Sequence, residues 1–215
     1  MQHQQFIIIT GGVGVGKSTL ISNLEKSIEK SERIFIKESI DYKPTEGKKM
    51  LEETLKGKGS IYDFQCFILK CFIEQFENSK GKKYILMERS PEDSLSIFCN
   101  ESLKNGSLNL EEFEDLKRQT DDLYVKYGIP QYSNCVIYKI DTCQYSIKGV
   151  YEIVQQKIEE CFINQKSCLF WLYCSDYKKQ KENIEKRGRP EEKNYDIDYM
   201  IRINKEYERV LAKLV

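Results

Sequence analysis

A glycine-rich loop near the amino terminus carries the clearest chemistry in the sequence. Residues 11–18 read Gly-Gly-Val-Gly-Val-Gly-Lys-Ser, a G-x-x-x-x-G-K-S string. Glycines let backbone N–H groups wrap a polyphosphate, and a helix that begins at the loop adds the positive end of its dipole. Lys17 is expected to reach the β- and γ-phosphates, and the Ser18 hydroxyl is expected to ligate Mg²⁺. The string therefore predicts binding of a nucleoside triphosphate with Mg²⁺. The residues assigned to the nucleotide are Gly11, Gly12, Val13, Gly14, Val15, Gly16, Lys17, Ser18 and Thr19.

Other polar residues end predicted strands or interrupt an apolar helix. Glu38 ends a strand, where a carboxylate can accept the proton of an attacking hydroxyl group. Arg89, in the string Glu88-Arg89-Ser90 after another strand, can neutralise charge near a reacting phosphoryl group. Gln65 lies in a nearly apolar helix, where an amide needs a partner and can read a base. Residues 187–192 read Arg-Gly-Arg-Pro-Glu-Glu, and two arginines over a triphosphate would stabilise its charge and exclude water.

An α/β fold must position these residues, because apolar runs of strand length alternate with helical patterns along the whole chain. The predicted strands of the mainly parallel sheet are Phe6–Thr10, Ile34–Lys37, Tyr84–Met87, Cys135–Ile140 and Cys168–Cys174. Their compact apolar sequences predict burial on both faces. We find no internal repeat or linker, so residues 1–215 are expected to form one domain.

The spacing of apolar residues and the end signals predict the helices between these strands. Ser90-Pro91 is expected to begin a helix that Asn105-Gly106 ends. The other predicted helices follow Gly16, cover the aromatic stretch Ile61–Phe76, run from Asn109 to Gly128, follow the fourth strand, and close the chain over Tyr199–Leu214.

The composition excludes several classes of function. Hydrophobic residues make up 40% and charged residues 32% of the 215 residues, which is typical of a globular protein. Lys+Arg and Asp+Glu balance at 34 each, so broad binding to nucleic acid or to anionic membranes is not expected. The single histidine, His3, lies in an amino-terminal tail, which argues against histidine-based nucleophile chemistry and metal sites.

The eight cysteines mostly lie within apolar runs and form no C-x-x-C pair. In a chain of this size they are expected to be free thiols, which indicates a reducing cytoplasmic location. The apolar run at residues 6–9 is too short for a signal peptide, and no apolar span is long enough to cross a membrane.

Taken together, these strings resemble the deoxynucleoside kinase family, specifically its thymidine kinase 2-like and insect deoxynucleoside kinase group. The resemblance covers residues 6–128 and 168–215, and no N-K-x-D string of a switch GTPase is present. It implies a P-loop kinase fold with a five-stranded parallel sheet and an arginine-bearing lid. It also implies transfer of the γ-phosphate of ATP to the 5′-hydroxyl of a deoxynucleoside.

The resemblance assigns a role to each matching residue. Glu38 would be the base for the 5′-hydroxyl, Gln65 would pair with the nucleobase, and Phe98 would stack on it. Glu88 would hold the Mg²⁺ shell, while Arg89 would act at the reacting phosphoryl group. The three catalytic residues are then Glu38, Arg89 and Lys17, and the metal ligands are Ser18 and Glu88.

The lid of the family resembles residues 187–192. Arg187 and Arg189 would close over the triphosphate, and Glu192 would bind the 3′-hydroxyl of the sugar. The chain departs from the family pattern at the tyrosine that shares this hydroxyl, because the expected region reads Glu-Thr-Leu-Lys at residues 53–56. Tyr62 and Tyr42 are the candidates to replace it.

The order of segments also departs from the family. The unit Tyr127–Asn164 resembles a terminal strand and helix, yet it precedes Cys168–Cys174 and the lid. We expect two segments to be exchanged in connection while their places in the fold survive. Strand Cys135–Ile140 would then lie at a sheet edge, with Cys168–Cys174 next to the P-loop strand. The alternative is an inserted strand-helix unit.

The substrate pocket is expected to favour pyrimidines. Family members selective for deoxycytidine and purines place an Arg opposite an Asp, and the matching positions here are Phe72 and Ser94. Without that charged pair, Ile68, Phe72 and Phe98 should line a closed apolar slot. The resemblance therefore implies thymidine or another pyrimidine deoxynucleoside as substrate.

Two other functions share the loop. A thymidylate-type nucleoside monophosphate kinase has a similar sheet and lid. It needs extra arginines to bind the monophosphate, and it needs no residue that accepts a proton. Glu38 and Gln65 therefore favour a nucleoside as the acceptor. A non-catalytic ATP-binding regulator would keep the loop without needing Glu38 or Arg89. The family further implies a homodimer, with no nucleic-acid or membrane partner.

Overall fold

One parallel sheet of five strands carries the fold. The computed structural model describes residues 4–27, 31–192 and 195–214. Neighbouring strands are all parallel, in the order β2-β3-β1-β5-β4. The strands are β1 (Gln5–Thr10), β2 (Arg33–Ile36), β3 (Tyr84–Glu88), β4 (Val136–Asp141) and β5 (Cys168–Tyr173). The predicted fold class and the five predicted strands are confirmed.

Helices cover both faces of this sheet. In chain order they are α1 (Lys17–Ser27), α2 (Ser39–Tyr42), α3 (Pro44–Leu55), α4 (Ile61–Glu77), α5 (Asn100–Lys104), α6 (Leu110–Tyr127), α7 (Ile147–Ile163), α8 (Tyr177–Arg187) and α9 (Ile197–Leu211). A π-helical segment, Asp93–Cys99, precedes α5, and short 3₁₀ turns cover Tyr132–Asn134 and Pro190–Glu192.

The two faces of the sheet build two separate apolar cores, as the alternation of side chains along a strand requires. Phe6 and Ile8 of β1 point into a core shared with α4, α6 and α9. Ile7 and Ile9 point into the opposite core, which α1 and α7 complete. Burial on both faces explains why β1 reads as a continuous apolar run.

The outer strand β4 differs from the prediction that every strand is buried on both faces. Val136, Ile137 and Tyr138 are half-buried and Lys139 is exposed, because β4 lies at the edge of the sheet. The Lys139 ammonium lies 4.4 Å from the centre of the Trp171 ring. A charged side chain on an edge strand also discourages pairing with other chains.

The placement expected for the exchanged segments is confirmed. Strand β4 lies at the edge, and β5 lies between it and the P-loop strand β1. The chain passes from β3 through α6 to the far edge, and then returns through α7 to β5.

Local capping explains several helix ends. Asn109 and Glu112 form a reciprocal capping box at the start of α6, and Gly128, with φ +63°, ends that helix in the left-handed conformation. Helix α9 ends at Leu211 rather than at the predicted Leu214, because Leu214 is 40% exposed and contributes little burial.

Three helices were not predicted. Helices α2 and α3 together cover residues 39–55, where charged residues hide the apolar spacing, although Pro44 occupies the first turn of α3. Helix α8 is the third, and its sequence is strongly polar.

All eight cysteines are free, as predicted. None of the helices in the described ranges is long and apolar enough to span a membrane. His3 lies outside the described residues, so its predicted tail position stays a prediction.

Candidate active site

The glycine loop joins β1 to α1 at the carboxyl edge of the sheet. Gly14 has φ +79°, and a Cβ atom there would lie 2.7 Å from Ile184 of α8. Gly16 has φ +95° with open space around it, so its backbone conformation alone requires glycine. Lys17 is only 5% exposed, and its Nζ donates to the Gly12 carbonyl at 2.9 Å. Burial and the nearby charge of Arg89 lower the pKa of Lys17 to about 8.

Amide side chains of α8 and α9 fix the back of this loop. Gln180 donates to the Val13 carbonyl at 2.6 Å, and Asn183 donates to the Gly14 carbonyl at 3.1 Å. Asn204 of α9 donates to the Gln180 side chain at 2.8 Å. The loop conformation therefore depends on two helices that the chain adds last.

Glu38 follows β2 directly, and a second glutamine holds that strand end in place. The Gln75 side chain on α4 accepts from the Lys37 N–H at 2.8 Å and donates to the Lys37 carbonyl at 3.0 Å. Because both backbone groups of the preceding residue are bound, the direction in which Glu38 leaves the sheet is set by α4.

Arg89 lies at the centre of the site in a strained backbone conformation. Its φ is +63°, which is rare for a residue other than glycine. Its Nη1 is paired with the Glu38 carboxylate, and its Nε donates to the Tyr207 hydroxyl at 3.3 Å. Its guanidinium carbon lies 5.0 Å from the centre of the Phe98 ring. These contacts fix both the charge and the plane of the guanidinium.

A buried network behind Arg89 stabilises the turn. Asp93 is fully buried and accepts the Ser90 N–H at 2.7 Å. It also accepts the hydroxyl groups of Thr10 and Tyr132. Asp93 thereby links the end of β1, the Arg89 turn and the segment before β4. Ser90 begins the helix as predicted, because its hydroxyl accepts the Glu92 N–H at 3.2 Å.

The two glutamates of the site respond differently to burial. Burial raises the pKa of Glu88 to about 7, and the charge of Glu38 adds to the effect. Burial also opposes ionisation of Glu38, but the charges of Arg89 and Lys17 outweigh it and hold the pKa of Glu38 below its ordinary value. Glu38 is thus a fixed carboxylate, whereas Glu88 exchanges its proton near neutral pH.

Oxygen atoms suited to a hard cation gather beside the loop. Carboxylate oxygens of Glu38, Asp41 and Glu88 lie within 4.8 Å of one another. The Ser18 hydroxyl donates to Glu88 at 2.9 Å. Such a set of hydroxyl and carboxylate oxygens fits Mg²⁺, which prefers oxygen ligands.

A cavity of about 130 Å³, here called the inner cavity, extends from Lys17 to α4. It contains all six predicted substrate residues: Gln65, Ile68, Phe72, Ser94, Phe98 and Glu192. Glu38, Glu88 and Arg89 also line it. Among the described residues, three polar atoms on its wall are buried without a hydrogen-bond partner: Thr54 Oγ1, Gln65 Oε1 and the Tyr195 hydroxyl. Buried polar groups are nearly always bonded, so these atoms mark where a polar ligand belongs.

A larger cavity of about 610 Å³, here called the loop cavity, opens on the other side of the glycine loop. Residues Gly14 to Thr19 line it together with Thr142, Tyr145 and Lys179. Lys17 and Arg187 line both cavities. The two spaces therefore meet at a pair of cationic side chains.

The lid residues divide into two groups. Arg187 pairs with Glu192 through Nε at 3.1 Å and through a second contact from Nη2. Arg189 lines neither cavity, because it pairs with Asp41 at 3.1 Å and lies 3.8 Å from Glu192. Arg187 thus lines both cavities while Arg189 pairs with α2, and the nucleotide contacts predicted for both arginines stay predictions.

Several residues of the site escaped sequence analysis. Tyr195 and Thr54 carry no motif, and only their buried unpaired hydroxyls identify them. Of the tyrosines suggested for the sugar, Tyr62 donates to Asp115 at 2.7 Å, and Tyr42 lines a separate surface cavity. Neither lines the inner cavity, so the geometry favours neither of them, and both stay predictions.

Comparison with known proteins gives a family match and a structural match. The sequence model of the deoxynucleoside kinase family matches residues 7–165. Deoxyadenosine kinase from M. mycoides with bound dATP has a TM-score of 0.61 at 19% identity, covering 98% of this chain and 86% of that one. The M. mycoides deoxyadenosine kinase structure with dCMP and a flexible dCDP bound has a TM-score of 0.62 at 20% identity, covering 97% and 84%. No curated protein matches the sequence. At these identities the structural likeness concerns the fold.

Proposed function

The chain belongs to the deoxynucleoside kinase family, and from that premise we propose that it phosphorylates the 5′-hydroxyl of pyrimidine deoxynucleosides, thymidine above all. As a member of that family it is an ATP-dependent deoxynucleoside kinase. The observation that carries the proposal is the junction at Lys17 and Arg187, which line both cavities. ATP would occupy the loop cavity, the nucleoside would occupy the inner cavity, and the γ-phosphoryl group would lie between the two cations.

Glu38 receives the proton in this reaction. The 5′-oxygen attacks the γ-phosphorus, the bond to the β-phosphate oxygen breaks, and the hydroxyl proton passes to a Glu38 carboxylate oxygen. A carboxylate with a lowered pKa is a weak base, but phosphoryl transfer depends mainly on positioning and charge stabilisation. The ion pair with Arg89 and the hydrogen bonds of Gln75 to the Lys37 backbone hold the Glu38 carboxylate in position.

The phosphate chain would be bound by the loop N–H groups, Lys17 and Arg187. Lys17 is expected to regain its full charge when phosphates enter, since an adjacent anion raises the pKa of an ammonium. Ser18 and Glu88 would hold Mg²⁺, which neutralises the charge that develops on the phosphate oxygens. The family match ends at residue 165, so the role of Arg187 rests on its position between the cavities.

Metal use should give the enzyme an acid limb near pH 7. The pKa of Glu88 is raised to about 7, so its ligating carboxylate is present above this pH and is lost as the pH falls through it. We expect kcat/KM to fall below about pH 7. The limb should move to lower pH as Mg²⁺ is raised, since the metal competes with the proton. Rate measurements at several Mg²⁺ concentrations test this. An acid limb whose position does not change with the Mg²⁺ concentration would contradict the assignment of Glu88 as a metal ligand.

The inner cavity supports a pyrimidine preference. Phe72 and Ser94, at the two positions of the charged pair, are 5% and 7% exposed. Ile68 and Phe98 complete an apolar wall around the unpaired Gln65 carbonyl oxygen. That oxygen can accept the N3–H of thymine. The 6-amino group of adenine is also a donor, so the preference for pyrimidines rests on the size of the apolar slot rather than on this hydrogen bond.

Shortening Phe72 should relax this preference. Phe72→Ala removes the bulk that closes the slot, so we expect kcat/KM for deoxyadenosine to rise relative to thymidine by about tenfold or more. Steady-state rates with both nucleosides measure the change. Phe76→Leu is the control, because Phe76 is buried in the same core without lining the inner cavity. An unchanged ratio in Phe72→Ala would show that the slot does not exclude purines.

We propose that Glu192 and Tyr195 bind the sugar. Glu192 is 7% exposed and held by Arg187, and the unpaired Tyr195 hydroxyl lies on the same cavity wall. Tyr195→Phe is expected to raise KM for thymidine about threefold to tenfold, the value of one hydrogen bond. The KM for 3′-deoxythymidine should hardly change, because that substrate lacks the hydroxyl. Tyr42→Phe is the matched control. Equal losses for both substrates would contradict a sugar contact.

Assaying thymidine against its 5′-monophosphate separates this function from that of a monophosphate kinase. We expect rapid ADP formation with thymidine, a 5′-phosphate product, and no turnover of 5′-deoxythymidine. Faster turnover of the monophosphate would favour the thymidylate-type alternative.

We further propose that residues 1–215 act as one domain and form a homodimer in a reducing cytoplasm. The eight free thiols support the compartment. The homodimer is what membership of the family implies. Light scattering after gel filtration tests the dimer.

A further inference from the structure

Two thiols lie in contact at the carboxyl edge of the sheet, and we propose that Cys143 and Cys174 form a site of reversible oxidation. Their sulfur atoms are 2.7 Å apart. The last paired residues of strands β4 and β5 are Asp141 and Tyr173, so the two cysteines follow the ends of neighbouring strands. A disulfide needs the sulfurs to approach to about 2.05 Å, which is a shift of about 0.65 Å from their present separation.

The two thiols have different surroundings. Cys143 is partly exposed, and its sulfur accepts the Asp176 N–H at 3.4 Å. Asp176 caps the amino terminus of α8, so the positive end of that helix faces the sulfur. Cys174 is 3% exposed and donates to the Asp176 carbonyl at 3.1 Å. This contrast matches an exposed sulfur that reacts first and a buried partner that resolves the adduct.

The oxidant is a small disulfide such as oxidised glutathione. The Cys143 thiolate attacks one of its sulfurs and releases one thiolate, which leaves a mixed disulfide on the protein. Burial raises the pKa of the Cys174 thiol to about 12, so Cys174 gives up its proton as its sulfur attacks the Cys143 sulfur, and the proton passes to the small thiolate that is expelled. The protein loses two protons and two electrons, and the small disulfide is reduced to two thiols.

The position of Cys143 gives this chemistry a consequence. Its neighbours Thr142 and Tyr145 line the loop cavity, as does Lys179, whose ammonium donates to the Cys143 carbonyl at 3.3 Å. A bulky adduct on Cys143 would obstruct this wall, whereas a bond to Cys174 preserves its shape. Cys174 therefore protects nucleotide binding from adducts at Cys143. Only this last step rests on the proposed function.

The test treats the full-length protein with oxidised glutathione and follows thiols, mass and direct ATP binding. In the wild type we expect two thiols to be lost, a Cys143–Cys174 peptide cross-link, no retained glutathione, and reversal by dithiothreitol. Cys174→Ser and Cys174→Ala should instead retain one glutathione on Cys143, with Kd for ATP raised about tenfold, equivalent to about 1.4 kcal/mol. Cys135→Ser, another partly exposed thiol, should behave as the wild type.

Several results would overturn the proposal. Wild-type protein that keeps all its thiols, retains glutathione or links other cysteines contradicts the site. Unchanged ATP affinity in the Cys174→Ala adduct contradicts the protective role. ATP binding is measured directly, without an assay of phosphorylation. A chain that binds ATP but does not phosphorylate nucleosides would contradict the proposed function, and the test of the cysteine pair would still be valid.

Discussion

Replacing Glu38 by Gln should lower kcat by about 10² to 10⁴ while leaving the Kd for ATP within about twofold. The variant keeps the size of the side chain but removes the proton acceptor. The loop cavity does not include residue 38, so nucleotide binding should not depend on it. Single-turnover phosphorylation of thymidine, together with direct ATP titration, measures both quantities.

Glu74→Gln is the control for this prediction. Glu74 pairs with Lys43 at the surface and lines neither cavity, so its loss should leave kcat unchanged. If Glu38→Gln retained a third or more of wild-type kcat, Glu38 would not be the base. If Glu38→Gln also lost affinity for ATP, the ion pair between Glu38 and Arg89 would be needed to hold the glycine loop in its binding conformation.

Replacing Arg89 by Lys should lower kcat by about 10² to 10³, although the positive charge remains. A lysine cannot bind Glu38, the Gly11 carbonyl and the Tyr207 hydroxyl at once, as the Arg89 guanidinium does. Freed from this partner, Glu38 should show a higher pKa. Its acid limb lies below the one assigned to Glu88 near pH 7, so the kcat profile is measured at saturating Mg²⁺, which moves the Glu88 limb to lower pH, and the Glu38 limb should then move upward.

The pH profile separates positioning from simple damage to the fold. Arg118→Lys, which alters an exposed pair with Asp115, should match the wild type in rate and in profile. A kcat for Arg89→Lys within threefold of the wild type would remove Arg89 from the reaction. A large loss without any movement of the acid limb would place its effect on the phosphate rather than on Glu38.

The parts of the site that depend on short stretches of sequence could be predicted from the sequence alone. The glycine loop needs special backbone conformations at fixed spacing, so its sequence and its position between β1 and α1 were evident. Glu38 and Glu88 could be placed because they end apolar runs, and parallel strands bring such ends to one edge. The six residues assigned to the substrate line one cavity although none of them ends a strand, and they were placed only through the resemblance to the family.

The features of the site that depend on contacts between distant parts of the chain could not be predicted from the sequence. Asp93 reads as an ordinary helix-start residue, yet its bonds to Thr10 and Tyr132 join segments 83 and 39 residues away. Tyr195 lies three residues beyond Glu192, and nothing in its neighbours indicates a buried hydroxyl. Helix α3 was missed because its polar composition hides the face that packs on α4. Propensity and periodicity carry no information on such pairings.

The order of β4 and β5 shows how far the sequence alone could reach. The two strands were predicted in the correct places because Tyr127–Asn164 resembles the terminal strand and helix of the family, which lie at the edge of the sheet.

The most direct test of the account is a competition among the four natural deoxynucleosides at equal concentrations below their KM values, with Mg²⁺ and ATP. Under these conditions the ratio of 5′-monophosphate products equals the ratio of kcat/KM. The account predicts that thymidine 5′-monophosphate leads and that both purine products are minor. A mixture dominated by deoxyadenosine or deoxyguanosine 5′-monophosphate would contradict the apolar slot and the reading of thymine by Gln65.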